Sequence, residues 1–133
     1  MGIEALSRGA SEAVFIEKDR RIADALTQTL RSLDLQGRVQ CAEALSELQK
    51  LPENHLDILF SDPPYDTFNG KLDEQPVVRE AARVVRPGGL ILWEHTARSV
   101  WEAPPNLKLV RQKRYGDTWI TRLVVTRTET LQI

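Results

Sequence analysis

The alternation of short apolar runs with stretches of helical spacing limits the fold of this chain more than any other feature. "AVFIE", Ala13 to Glu17, ends on an acid and reads as a short buried strand. Asp19 is placed to cap a following helix whose apolar residues Ile22, Leu26, Leu30 and Leu33 recur every three or four positions, and Gly37 is expected to stop it. "RVQCA" reads as a second strand, and Ala42, Leu45 and Leu48 suggest a helix closed by Pro52. "LDILFS", Leu56 to Ser61, has the character of a fully buried parallel strand. Val77, Val78, Ala81, Ala82, Val84 and Val85 form a helical stripe that "RPGG" ends, and "LILWEH" is a fourth strand. The segment from Leu107 to Thr126 reads as an antiparallel hairpin turning near Tyr115-Gly116-Asp117. Strands alternating with helices imply an α/β fold, mainly parallel, with an antiparallel C-terminal hairpin at one edge.

The 133 residues are enough for a single domain over 1–133, with no internal repeat or linker. Hydrophobic content of 41% and charged content of 28% belong to an ordinary globular chain. No apolar run reaches the roughly 20 residues that a membrane helix needs. Glutamates inside the first apolar stretch argue against a signal peptide. The lone Cys41 excludes an internal disulfide and is expected to pack as a small hydrophobe, and no Cys/His cluster suggests a metal. These features point to the cytoplasm. The net charge of −1 is unevenly spread: Arg98 to Arg127 holds seven basic and two acidic residues, +5, against −6 elsewhere. Such a segment is either a phosphate-contacting face or a solvated strand face.

The chemistry concentrates in "SDPPY". Pro63 and Pro64 fix their own φ and push the preceding residues into extended conformations. The backbone is therefore stiff there, with free carbonyl acceptors and the Asp62 carboxylate at its start. That arrangement suits a planar, amine-bearing group, and it follows a parallel strand, where open α/β sheets place their ligands. Glu17 also ends a strand, where its carboxylate can accept from both hydroxyls of a ribose or serve as an acid at a helix N-terminus. Glu43 follows the next strand, in reach of an adenine amine or exposed at a helix start.

Three acids at successive strand ends, followed by the Pro-Pro-Tyr step, describe a nucleoside cofactor site beside a site for a planar amine. This constellation resembles the S-adenosylmethionine-dependent methyltransferases that modify exocyclic amines of nucleobases, with their Rossmann-like fold. "GIEALSRGASEAVFIEKD", "SDPPY", "RPGGLILWEH" and "KRYGDT", in that order, are similar to bacterial 16S ribosomal RNA guanine-N2 methyltransferases. The resemblance runs from Gly2 to about Thr126. It implies that Asp62, Pro63, Pro64 and Tyr65 form the catalytic motif, with Asp62 also beside the cofactor. Glu17 with Lys18 would hold the ribose, and Glu43 with Ala44 would lie near adenine. His95 would partner Glu94, while Trp93, Trp101 and Trp119 are expected to pack. The implied cofactor is S-adenosyl-L-methionine, and the implied partner is ribosomal RNA, in the small subunit or its assembly intermediate. A monomer with no metal and no membrane association is expected.

The family's first strand and its acid-x-Phe-x-Gly-x-Gly loop do not precede "GIEALSRG" in this sequence. Without them, weak cofactor binding and unpaired strand edges are expected. Two readings compete with the methyltransferase of ribosomal RNA: an adenine-N6 DNA methyltransferase, and an inactive fragment that binds no cofactor. In-frame DNA upstream of Met1 is expected to encode an apolar strand and acid-x-Phe-x-Gly-Ser/Thr-Gly running into Gly2. Sequencing that finds a stop codon immediately upstream would overturn this expectation.

Overall fold

The computed structural model describes residues 2–61, 76–95 and 106–126. The chain divides into two compact units, Met1–Lys50 and Leu51–Ile133. Helices and strands alternate as expected, and the strands of the described residues form a two-stranded and a four-stranded sheet.

The first unit contains α1 (Gly2–Ser7), β1 (Val14–Glu17), α2 (Arg20–Ser32), β2 (Arg38–Cys41) and α3 (Ala44–Lys50). β1 and β2 run parallel, from Val14 opposite Arg38 to Glu17 opposite Cys41. Asp19 caps α2 as its sequence position suggested, its Oδ1 accepting from the backbone N–H of Arg21 at 2.9 Å and of Ile22 at 3.4 Å. The helix stops earlier than Gly37. Asp34 takes a left-handed φ of 54°, its N–H reaches the Arg31 carbonyl at 3.1 Å, and the Leu35 N–H reaches that of Leu30 at 2.9 Å. These are the two bonds of a Schellman ending, which satisfy carbonyls the last turn would leave open. Asp tolerates the left-handed region better than most residues, so no glycine is required there. Gly37 serves packing instead: a Cβ would lie 2.9 Å from the Phe15 ring and 3.1 Å from Leu6 Cδ1.

The buried stripe of α2 also differs from expectation. Ala23 and Leu30 are buried, whereas Ile22 and Leu33 are each 54% exposed, which turns the face by about one residue. β1 is half-buried rather than buried, with Val14 exposed. A two-stranded ribbon gives helices little width to cover.

The second unit contains β3 (Leu56–Ser61), α4 (Pro76–Val84), β4 (Val85–His95), β5 (Leu107–Tyr115) and β6 (Thr118–Val125). Its sheet has the order β3-β4-β6-β5. β4 is parallel to β3 and antiparallel to β6, and β6 is antiparallel to β5. No residue intervenes between α4 and β4. The closing carbonyls of α4, on Arg83 and Val84, accept from the backbone N–H groups of Asn54 and His55 at 3.1 and 2.7 Å. Here too the sequence reading needs correction. Val85 already pairs with Leu56 before "RPGG", and pairing resumes at Ile58 and Leu90, so Arg86 to Gly89 stand opposite Asp57 alone. Gly88 supplies a φ of +80° to this bulged loop, and Arg86 Nε donates to Asp57 Oδ1 at 2.7 Å. A Cβ on Gly89 would meet the Asp57 and Arg86 carbonyl oxygens, each at 2.8 Å.

One face of the sheet is buried, with Leu59, Ile91, Trp93, Leu123 and Thr121 inside; Thr121 Oγ1 accepts from Gln112 Nε2 at 3.1 Å. α4 packs on β4 and buries Val78, Ala81 and Val84 as its apolar stripe suggested. The described residues of the other face are less covered. Ile58 is 58% exposed, so β3 is not the fully buried strand expected, and Leu90, Leu92 and Ile120 are only half-covered. The hairpin turns through Gly116-Asp117 as expected, with Gly116 at φ +62° in the position that primed turns reserve for glycine.

All three tryptophans of the chain belong to this second unit, so their fluorescence reports its unfolding. Gly116→Ala is expected to destabilise by about 1–2 kcal/mol through its left-handed φ. Gly89→Ala drives a Cβ into two backbone oxygens and is expected to cost more, about 3 kcal/mol. Urea titration checks the order, and equal midpoints for the two variants would contradict it.

Candidate cofactor-binding site

The ladder of β1 and β2 brings two of the sequence-identified segments to one sheet edge. Glu17 closes β1 opposite Cys41, and the ladder extends by one bond from the Ala42 N–H to the Glu17 carbonyl at 3.1 Å. Lys18 and Glu43 follow at this same C-terminal end, and Ala44 begins α3. Glu17 is half-buried and its Oε1 accepts from the Asp19 N–H at 3.1 Å. This bond holds the carboxylate beside the turn into α2. Glu17 therefore sits at the entrance of α2, with one carboxylate oxygen engaged there. Glu43 is exposed, and its carbonyl accepts from the Glu47 N–H at 3.2 Å, so it stands at the entrance of α3. Lys18 and Ala44 are exposed.

Cys41 does not pack as a small hydrophobe. It is exposed, and its Sγ donates to the Lys18 carbonyl at 3.5 Å, tying the two strand ends together. Its place in this site was readable only by setting the ends of the two strands level, which fixes Cys41 opposite Glu17.

β3 ends at Ser61, which pairs with Trp93. The catalytic candidates Asp62, Pro63, Pro64 and Tyr65 come next in sequence and lie outside the described residues, as does Trp101. The backbone of His95 pairs with that of Trp119; Trp93 is buried and Trp119 half-buried, as expected of packing residues. A concavity of about 390 Å³ in the first unit lies at the opposite ends of β1 and β2, lined by Ser11, Glu12, Ala13, Gln36, Gly37 and Arg38. It holds none of the candidate residues.

The exposed thiol generates a direct check. Cys41 is expected to react with a thiol reagent in the native protein, one equivalent per chain, and Cys41→Ser is expected to change stability by less than about 0.5 kcal/mol. Reaction only after unfolding would contradict its exposure.

Comparison with known proteins bears on this arrangement. The profile of the family described as Conserved hypothetical protein 95 matches residues 1–124. The Ribosomal RNA small subunit methyltransferase D of Haemophilus influenzae is 34% identical over 122 residues, which cover 87% of this chain and 61% of the relative. The protein of the same name from Escherichia coli is 33% identical over 118 residues, covering 87% of this chain and 58% of the relative. The chain therefore spans about three fifths of the length of these relatives. Among solved structures, a Haemophilus influenzae protein described as a methylase superposes with a TM-score of 0.76 at 31% identity, over 95% of this chain and 80% of its own. With strand-end acids, a mixed sheet and a match over nearly its whole length, the chain belongs to the Conserved hypothetical protein 95 family and has a Rossmann-like methyltransferase fold.

Proposed function

We propose that this chain is the greater part of a methyltransferase domain that transfers a methyl group from S-adenosyl-L-methionine to the exocyclic N2 amine of a guanine in small-subunit ribosomal RNA. The observation that carries the reading is the pair of acids at one end of the β1–β2 ladder, in a chain whose relatives are named as ribosomal RNA methyltransferases.

The residues fit the cofactor. Glu17 is acceptor-only when ionised; one oxygen takes the Asp19 N–H, leaving the second for a ribose hydroxyl. Glu43, exposed beside it, can accept from an adenine amine, with Lys18 and Ala44 completing this edge. When bound, S-adenosylmethionine supplies a methyl group activated by the adjoining sulfonium.

The remaining work belongs to the chain. The amine of guanine is a poor nucleophile because its lone pair is delocalised into the ring. In the proposed mechanism Asp62 and the Pro63 carbonyl accept its two N–H groups and direct the lone pair, while Pro64 keeps that backbone extended. Tyr65 stacks on the base, an interaction worth about 1–3 kcal/mol in nucleic-acid sites. Asp62 need not deprotonate the amine in advance, since the ammonium formed on transfer is strongly acidic. The base must leave its stack to be reached. The enzyme is proposed to act as a cytoplasmic monomer on the small subunit or its assembly intermediate.

The test expresses the protein with any in-frame upstream sequence its gene carries and offers methyl-labelled cofactor with small subunits, naked 16S RNA or duplex DNA. N2-methylguanosine is the expected product. Asp62→Ala is expected to lower the transfer rate by about 100-fold or more while leaving cofactor affinity within a few-fold. Glu17→Gln is expected to weaken cofactor binding about tenfold or more, the loss of charge-assisted hydrogen bonds. Turnover retained in Asp62→Ala removes that residue from the mechanism. N6-methyladenine as product would install the DNA reading, and a protein with neither product nor cofactor binding would be the inactive fragment.

A further inference from the structure

The less covered face of the four-stranded sheet carries a band of uncompensated positive charge. Arg111, Lys113 and Tyr115 alternate along β5 and share one face. Lys108 would fall on the opposite face by simple alternation. The ladder is irregular between Leu109 and Arg111, however, and the extra residue, Val110, restores Lys108 to the side of Val124 and Arg122. Arg122 of β6 stands directly opposite Arg111. Like charges facing each other across a ladder repel. Among the described residues, none of these four cations makes an ion pair with a carboxylate, and Glu94 is the one carboxylate on the face.

The other side of the same strand behaves differently. Arg114 points away from this band; its Nε donates to the Gly116 carbonyl at 2.6 Å and its Nη2 lies 3.8 Å from Asp117 Oδ1. The cation on that side is compensated within the hairpin, and those on this side are not. Charges on an edge strand commonly guard against edge-to-edge pairing. That accounts for Lys108, Arg111 and Lys113 on β5, but not for Arg122, which sits on the inner strand and faces Arg111.

Between the charges is a depression of about 310 Å³ with Leu90, Leu92 and Ile120 as its floor. Tyr115 stands at its rim, 54% exposed, with Lys113 Nζ 4.9 Å from the ring centroid on one side. A polyanion alone would use the cations and leave the apolar floor and the ring idle. A strand with phosphates and unstacked bases would use all of them.

We propose that this face, formed by β4, β6 and β5, binds single-stranded RNA, with Lys108, Arg111, Lys113 and Arg122 on the phosphates and an unpaired base against Tyr115 and the apolar floor. The proposal deepens the ribosomal RNA reading and rests on it for the choice of RNA. It adds a surface that grips the substrate strand independently of the catalytic motif.

The test is fluorescence anisotropy of a labelled 12-nucleotide single-stranded RNA of mixed sequence, titrated with the full chain at several salt concentrations and without cofactor. Heparin serves as a base-free polyanion. Arg111→Ala/Arg122→Ala is expected to weaken RNA binding at least tenfold and to lower the slope of log affinity against log salt by about 1.4, roughly 0.7 for each cation removed. Tyr115→Ala is expected to weaken RNA binding about 5- to 140-fold and leave heparin binding unchanged. Arg20→Ala/Arg31→Ala, in the first unit, is expected to change neither. Tryptophan fluorescence confirms that each variant is folded; removal of the facing arginines relieves repulsion and is expected to leave the urea midpoint level or higher. An unchanged salt slope in Arg111→Ala/Arg122→Ala, or equal losses in the first-unit control, would overturn the proposal. Because no cofactor is present, that failure leaves the methyl-transfer reading standing. Absence of methyl transfer, conversely, does not touch the binding result.

Discussion

Strand β4 has both edges engaged, one in a parallel ladder with β3 and the other in an antiparallel ladder with β6. Each backbone group in those ladders would carry the penalty of an unmet hydrogen bond if its partner left, on the order of 1–3 kcal/mol when buried. The side chains that β4 turns inward, Ile91 and Trp93, are also among the most buried of the unit. α4 runs straight into β4, and its last carbonyls are closed by the residues that lead into β3. The second unit is therefore organised from a single strand outward.

Strand and helix identities were legible in the sequence because each depends on local pattern. The Asp19 cap, the α4 stripe and the Gly116 turn need only neighbouring residues to declare themselves. What was hidden depends on partners distant in sequence. Gly37 looks like a helix stop, yet its small size is demanded by Phe15 and Leu6, while the stop falls on Asp34. "RPGG" looks like punctuation before a strand, but Leu56 reaches across to Val85 and makes the motif a bulge within it. β1 and β3 are less buried than their apolar composition suggests, because composition gives no count of the layers that cover a strand.

Of the candidate site, the strand-end positions were legible. Glu17 and Glu43 were identified by their positions after strands, and the parallel register sets those strand ends level. A single cysteine with no motif looks like filler in the sequence, whereas the place of Cys41 at the end of β2 exposes it. The separation of the basic residues into compensated and uncompensated sets could not be read from a charge count. It depends on one irregularity in the β5–β6 ladder, which alternation along the sequence does not reveal.

The pairing of β4 with β6 also has a consequence for how the polypeptide matures. A ribosome releases sequence from the N-terminus at about 5–20 residues per second, so β3 and β4 emerge well before β6. Until then one edge of β4 has no mate, and its inward side chains lack the cover of Leu123 and Thr121. The hairpin of β5 and β6, closed by its short turn, forms within about 1–10 microseconds once it is free. Completion of the unit thus waits on its last strand, and chains stalled or cut ahead of Thr118 would present an unmated β4 edge to one another and to chaperones.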